Sequence, residues 1–136
     1  MADVTKRATG SWHVALRGMS ARTGGQDWRE AIRDAVNQTY PNAPFSPPPE
    51  GTRFRVDIVF RLPVEEATGS GVDLDNLAEP VLDTVFTSGR AQPPTGAVFP
   101  VNDTWVFRLD LEKLEVASTD EAGLDLTIEI VPRDER

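Results

Sequence analysis

The clearest pattern in the chain is an alternation. From Arg53 to Leu62, the residues Phe54, Val56, Ile58, Phe60 and Leu62 fall on one side, while Arg53, Arg55, Asp57 and Arg61 point mostly to the other. A period of two marks a strand with one buried face. Trp105, Phe107, Leu109 and Leu111 likewise share one face of residues 104–116, and Leu124, Leu126, Ile128 and Ile130 one face of 124–131. A weaker alternation over 11–18 sets Trp12, Val14 and Leu16 together. Elsewhere the period lengthens. Trp28, Ile32 and Val36, with Ala31 and Ala35 beside them, make one apolar stripe from Gln26 to about Gln38, with Glu30, Arg33 and Asp34 off it. That is a half-buried helix. A second helix is expected from Leu77 to Phe86, with Val81, Leu82 and Val85 inward. Pro80 lacks an N–H and is expected in the first turn, where that donor has no partner anyway.

The order strand, helix, strand, helix, strand, strand predicts a single α+β domain over 11–132, a mixed sheet with two main helices packed on one face. Residues 1–10 are polar and expected to be flexible, and 133–136 form a polar tail. The proline-rich stretches 40–51 and 87–103 read as irregular connections.

Composition narrows the function classes. The 136 residues are 39% hydrophobic and 26% charged, ordinary values for a globular domain. A net charge of -8 opposes general attraction to nucleic acid or anionic membrane. The absence of cysteine removes disulfides and thiolate metal sites. No apolar run approaches the ~20 residues that span a bilayer, and the opening "MADVTKRATGS" lacks the apolar core of a signal peptide. A cytoplasmic location is the expectation. His13, the single histidine, forms no triad and is expected to be a partly buried strand residue.

Chemistry therefore falls to the carboxylates of "GVDLDNLAEPVLDTVF", residues 71–86. Asp73 and Asp75 sit at a helix start with Asn76 next; Glu79 follows one turn on, Asp83 two turns on, and Asp103 stands just before a strand. Hard oxygen ligands at element ends suit Mg²⁺, which takes one or two carboxylates, waters and substrate phosphates. The plainer alternative is that Asp and Asn here are only N-caps, accepting the orphan N–H groups of the first turn. An EF-hand is excluded: Ala78 occupies the place of the turn glycine, and Thr84 that of the bidentate glutamate.

The string "DLDNL", then an apolar helix carrying Asp83, then Asp103 ahead of a strand, resembles the RusA family of Holliday-junction resolvases. The segment "SARTGGQDWREAIRDAV" is similar to that family's first helix, and the strand order follows the family over nearly the whole chain. The resemblance implies a RusA-like domain in a homodimeric endonuclease that needs Mg²⁺ or Mn²⁺ and cuts four-way DNA junctions. It implies Asp73, Asp75 and Asp103 as catalytic and metal-binding carboxylates, with Asn76 and Asp83 in support. Glu79 stands where the family carries a lysine, so it is either an extra metal ligand or the mark of a protein that binds without cutting. Phosphate contacts would come from Arg17, Arg22, Arg53, Arg55, Arg61 and Arg90, whose plainer role is to solvate the outer face of a sheet.

Overall fold

A computed structural model describes residues 11–21, 25–39, 53–69, 72–87 and 99–131. The elements are β1 (Ser11–Arg17), α1 (Gly25–Thr39), β2 (Arg53–Pro63), α2 (Leu74–Val85), the short β3 (Phe86–Thr87) and β4 (Phe99–Asn102), β5 (Val106–Val116) and β6 (Gly123–Val131). Single 3₁₀ turns lie at Asp103–Trp105 and Thr119–Glu121. The expectations for residues 1–10 and 133–136, and for Arg22 and Arg90, fall outside the described residues.

Four strands form one mixed sheet in the order β1-β6-β2-β5, with β6 antiparallel to both neighbours and β2 parallel to β5. A parallel pair needs a crossover, and α2 lies in it. α1 packs on β1 and against α2, so both helices cover the same face. The domain is α+β. Alternation placed the core correctly: Phe54, Val56, Ile58, Phe60 and Leu62 of β2 interleave with Leu124, Leu126, Ile128 and Ile130 of β6 under the α1 stripe Trp28, Ile32 and Val36, all buried. Each such side chain contributes roughly 1.5–3 kcal/mol by leaving water. The other face of β2 carries Arg53, Arg55, Asp57 and Arg61, each half-buried. Among the described residues no helix is long and apolar enough to cross a membrane.

Besides the 87–103 connection, whose end pairs as β4 with β3, three expectations change. α2 begins at Leu74, one turn earlier than its pattern suggested, so Pro80 is its seventh residue rather than a first-turn residue. Burial of Leu77, Ala78, Val81 and Val85, with Leu74 packed against the core, outweighs what the proline costs. The ring deprives the Asn76 carbonyl of its i+4 donor. Pro80→Ala should accordingly stabilise the fold by about 1–3 kcal/mol, read as a higher urea midpoint at unchanged slope.

The second change concerns β5, an edge strand. Phe107 is 66% and Leu109 38% exposed, where the alternation put both in the core. Val106 pairs with Phe54, but Arg108 pairs with Arg55, so Phe107 is an extra residue in a bulge. A bulge bends its strand and re-aims side chains. Phe107 accordingly sits under the guanidinium of Arg53, a residue of the open sheet face. Third, His13 is exposed rather than partly buried: it too stands on the open face, with Nδ1 at 3.0 Å from Thr127 Oγ1.

At the β1–β6 junction Gly123 adopts φ +151°, where an added Cβ would stand 1.7 Å from the Leu16 carbonyl oxygen.

Candidate functional site

The start of α2 gathers three of the residues singled out from the sequence. Asp73 is the N-cap: its backbone is extended, and its carbonyl accepts the Leu77 N–H at 3.1 Å. Its carboxylate, however, caps nothing. It accepts instead from the Asn76 side-chain amide at 2.9 Å, while the Asn76 backbone N–H donates to Asp75 Oδ1 at 3.0 Å. Asn76 thus ties both acids to one spot, and all three are exposed. The Asp73 carboxyl is held below the usual carboxylate range, first by its hydrogen-bond contact with Asp75 and then by its own backbone N–H. The Asn76 amide and the Lys113 ammonium add to this, and partial desolvation opposes it. The helix N-terminus adds its own preference for negative charge.

Lys113 was not visible as a site residue in the sequence. Its Nζ donates to the carbonyls of Ala67 at 2.7 Å and Val72 at 3.1 Å, so β5 pins the loop that delivers Asp73. Ser20 ties the same loop from the other side, its hydroxyl donating to Glu66 Oε1 at 2.7 Å. The signal was a lysine spaced two residues after the half-buried Leu111, on the inward side of a strand.

The other candidate acids lie further along the chain. Glu79 is exposed one turn along α2 from Asp75, and among the described residues no group of three or more acids or histidines is placed to hold a metal. Asp83 lies two turns beyond Asp75, about 12 Å along the helix. The backbone of Asp103 follows Asn102, which pairs with Thr87 just past the far end of α2. At 1.5 Å per residue, the length of α2, roughly 18 Å, separates that end from Asp73.

Of the candidate phosphate-binding arginines, the open sheet face carries Arg17, Arg53, Arg55 and Arg61, each with an acid or aromatic partner. Asp125 receives Arg17 at 2.9 Å and Arg61 at 2.7 Å. Arg55 lies 3.7 Å from both Asp57 and Asp110, and Arg108 3.2 Å from Asp110. Asp57 and Asp110 face each other across β2 and β5. Burial, then contact with Asp110, raises Asp57; Asp110 is lowered, first by contact with Asp57. Such a face is close to charge-balanced rather than a cationic grip.

Asp125 has a pH signature. Burial alone would raise it, but hydrogen bonds and charge from Arg17 and Arg61 win, and it lies below the ordinary value. A depressed folded pKa contributes stability that is complete above the unfolded value, about 3.9, and is lost as pH falls below it through the folded value. Acid unfolding should therefore begin in that window, and Asp125→Asn should flatten the pH dependence of the urea midpoint below about pH 4 while leaving its shape near neutrality unchanged. No protein-family model, curated protein or solved structure matches the chain.

Proposed function

We propose that the chain is a divalent-metal-dependent endonuclease of the RusA type, acting on branched DNA as a homodimer. The observation that supports it most is the Asp73–Asp75–Asn76 group: an acid in the N-cap position leaves the helix uncapped and meets a second acid instead. Two exposed carboxylates side by side fit Mg²⁺ or Mn²⁺, which complete their shells with water and phosphate. When bound, such an ion supplies positive charge against the scissile phosphate and the departing 3′ oxygen. The protein's part is positional. Asp73 and Asp75 hold, Asn76 fixes both carboxylates, and Lys113 fixes the loop behind them.

A second reading is a RusA-fold protein that binds without cutting. Glu79 in place of a cation, Asp103 at the other end of α2, and arginines already engaged by acids favour it. The deciding experiment is incubation with a synthetic four-way junction and Mg²⁺ or Mn²⁺. Paired nicks support the nuclease; a shifted but intact junction supports the binding subunit. Neither nicks nor a shift, for wild type and Glu79→Lys alike, ends both readings.

A further inference from the structure

The bulge at Phe107 opens a cavity of about 360 Å³ where β2 and β5 begin, lined by Arg53, Arg55, Phe107, Arg108 and Glu129 among others. That volume is at the small end for ligand pockets, the size for one nucleotide rather than a longer ligand. The Arg53 guanidinium lies 4.8 Å from the Phe107 ring centroid, over one face, and the residue stays 66% exposed. A large aromatic held in water by a bulge offers a flat apolar surface on which a planar group can stack. Three guanidiniums and one carboxylate line it, and Asp110, outside the lining, engages two of the three, so an anion entering here exchanges with Asp110. The Nε of Arg55 is moreover buried without a hydrogen-bond partner, its nearest acid standing at 3.7 Å.

We propose that this cavity binds one unpaired nucleotide, its base stacked on Phe107 and its phosphate held by Arg55 and Arg108. Stacking on an aromatic is tolerant of base identity, and a guanidinium on the far face strengthens the platform. The phosphate competes with Asp110, which already engages both arginines but is itself 48% exposed and readily solvated when displaced. The proposal rests on the reading that this chain meets nucleic acid, yet it uses none of the Asp73–Asp75–Asn76 group. A branched junction with a frayed base, or a free nucleotide, would present the same chemistry.

The test is fluorescence anisotropy with a short labelled oligothymidylate in EDTA, so that no cleavage is needed. The wild type should bind the strand; an abasic strand of equal length and the Phe107→Ala variant should each weaken binding roughly tenfold or more, while Phe107→Trp retains it. Arg108→Gln should lower the salt dependence by about one phosphate contact. Thymidine monophosphate that displaces the strand at comparable concentration assigns the site to free nucleotides; a requirement for the strand assigns it to an unpaired position in DNA, and either outcome supports the cavity. The proposal falls if the wild type binds no strand, if the abasic strand binds as well, or if Phe107→Ala binds as wild type. Phe107-dependent binding without junction cleavage removes the nuclease reading alone; cleavage with an indifferent Phe107→Ala removes this site alone.

Discussion

Gly123→Ala is expected to prevent the sheet from closing. The residue opens β6 with its neighbours Arg17 of β1 and Arg61 of β2 already in register on either side. An alanine Cβ would stand 1.7 Å from the Leu16 carbonyl oxygen and 2.6 Å from its carbonyl carbon, both backbone atoms of a paired strand that no rotamer change can move aside. The backbone conformation, at φ +151°, adds strain of about 1–3 kcal/mol for a residue with a side chain. Relieving the clash means separating β1 from β6, which also pulls Arg17 from Asp125. The loss approaches the whole stability of a small domain, about 5–15 kcal/mol. Circular dichroism should show an unfolded or strongly destabilised variant. Gly25→Ala is the control: φ is +67° there, but nothing lies within 4 Å of the added atom, so its cost should stay near 1 kcal/mol. Equal urea midpoints for Gly123→Ala and Gly25→Ala would show that β1 does not approach β6 this closely.

The largest effect on activity is expected at the start of α2. Asp73→Asn and Asp75→Asn should each reduce metal-dependent junction cleavage at least about a hundredfold, because each removes one of the two carboxylates gathered at this spot among the described residues. Stability should separate the two. The ionised form of Asp73 is favoured in the fold, so Asp73→Asn should not stabilise the metal-free protein, whereas Asp75→Asn removes one of two carboxylates in contact and should leave it as stable as the wild type or more so. Millimolar Mg²⁺ or Mn²⁺, binding the folded state, should raise the melting temperature of the wild type and much less that of either variant. Asp34→Asn, an exposed acid on α1, serves as the charge control and should leave the metal effect intact. If the wild-type melting curve ignores both ions, the pair is a surface feature and not a metal site.

Much of the framework was legible because single-sided burial imposes its period on the sequence. β2 and β6 follow the alternation residue by residue, and Trp28, Ile32 and Val36 point where a helical stripe must point. The misreadings have local physical causes. Pro80 reads as a first-turn residue by propensity, yet burial of Leu77, Ala78 and Val81 carries the helix through it. Phe107 reads as core because a pattern of period two cannot register one extra residue in a bulge. At the site, Asp73, Asp75 and Asn76 were legible, being three neighbours at one helix end. Lys113 was not, because its contacts with Ala67 and Val72 join residues more than forty positions apart. Neither was the distance to Asp103, which depends on how β4 pairs with β3 at the far end of α2.

The strand order bears on how the chain reaches this fold. β6 is the last of the described strands, yet it lies between β1 and β2, pairing Ser11 with Glu129 and Arg53 with Val131. Until residues 123–131 arrive, β1 has no neighbour, and β2 has only the parallel β5, itself reached through the α2 crossover. Such pairings close long loops before they are rewarded, so folding should be slow for a domain of this size, in the millisecond-to-second range rather than microseconds. During synthesis the apolar faces of β1 and β2 stay open until the central strand emerges. A chain stopped before Gly123 would keep the helices' apolar stripes and lose the β6 half of the surface they cover, Leu124, Leu126, Ile128 and Ile130.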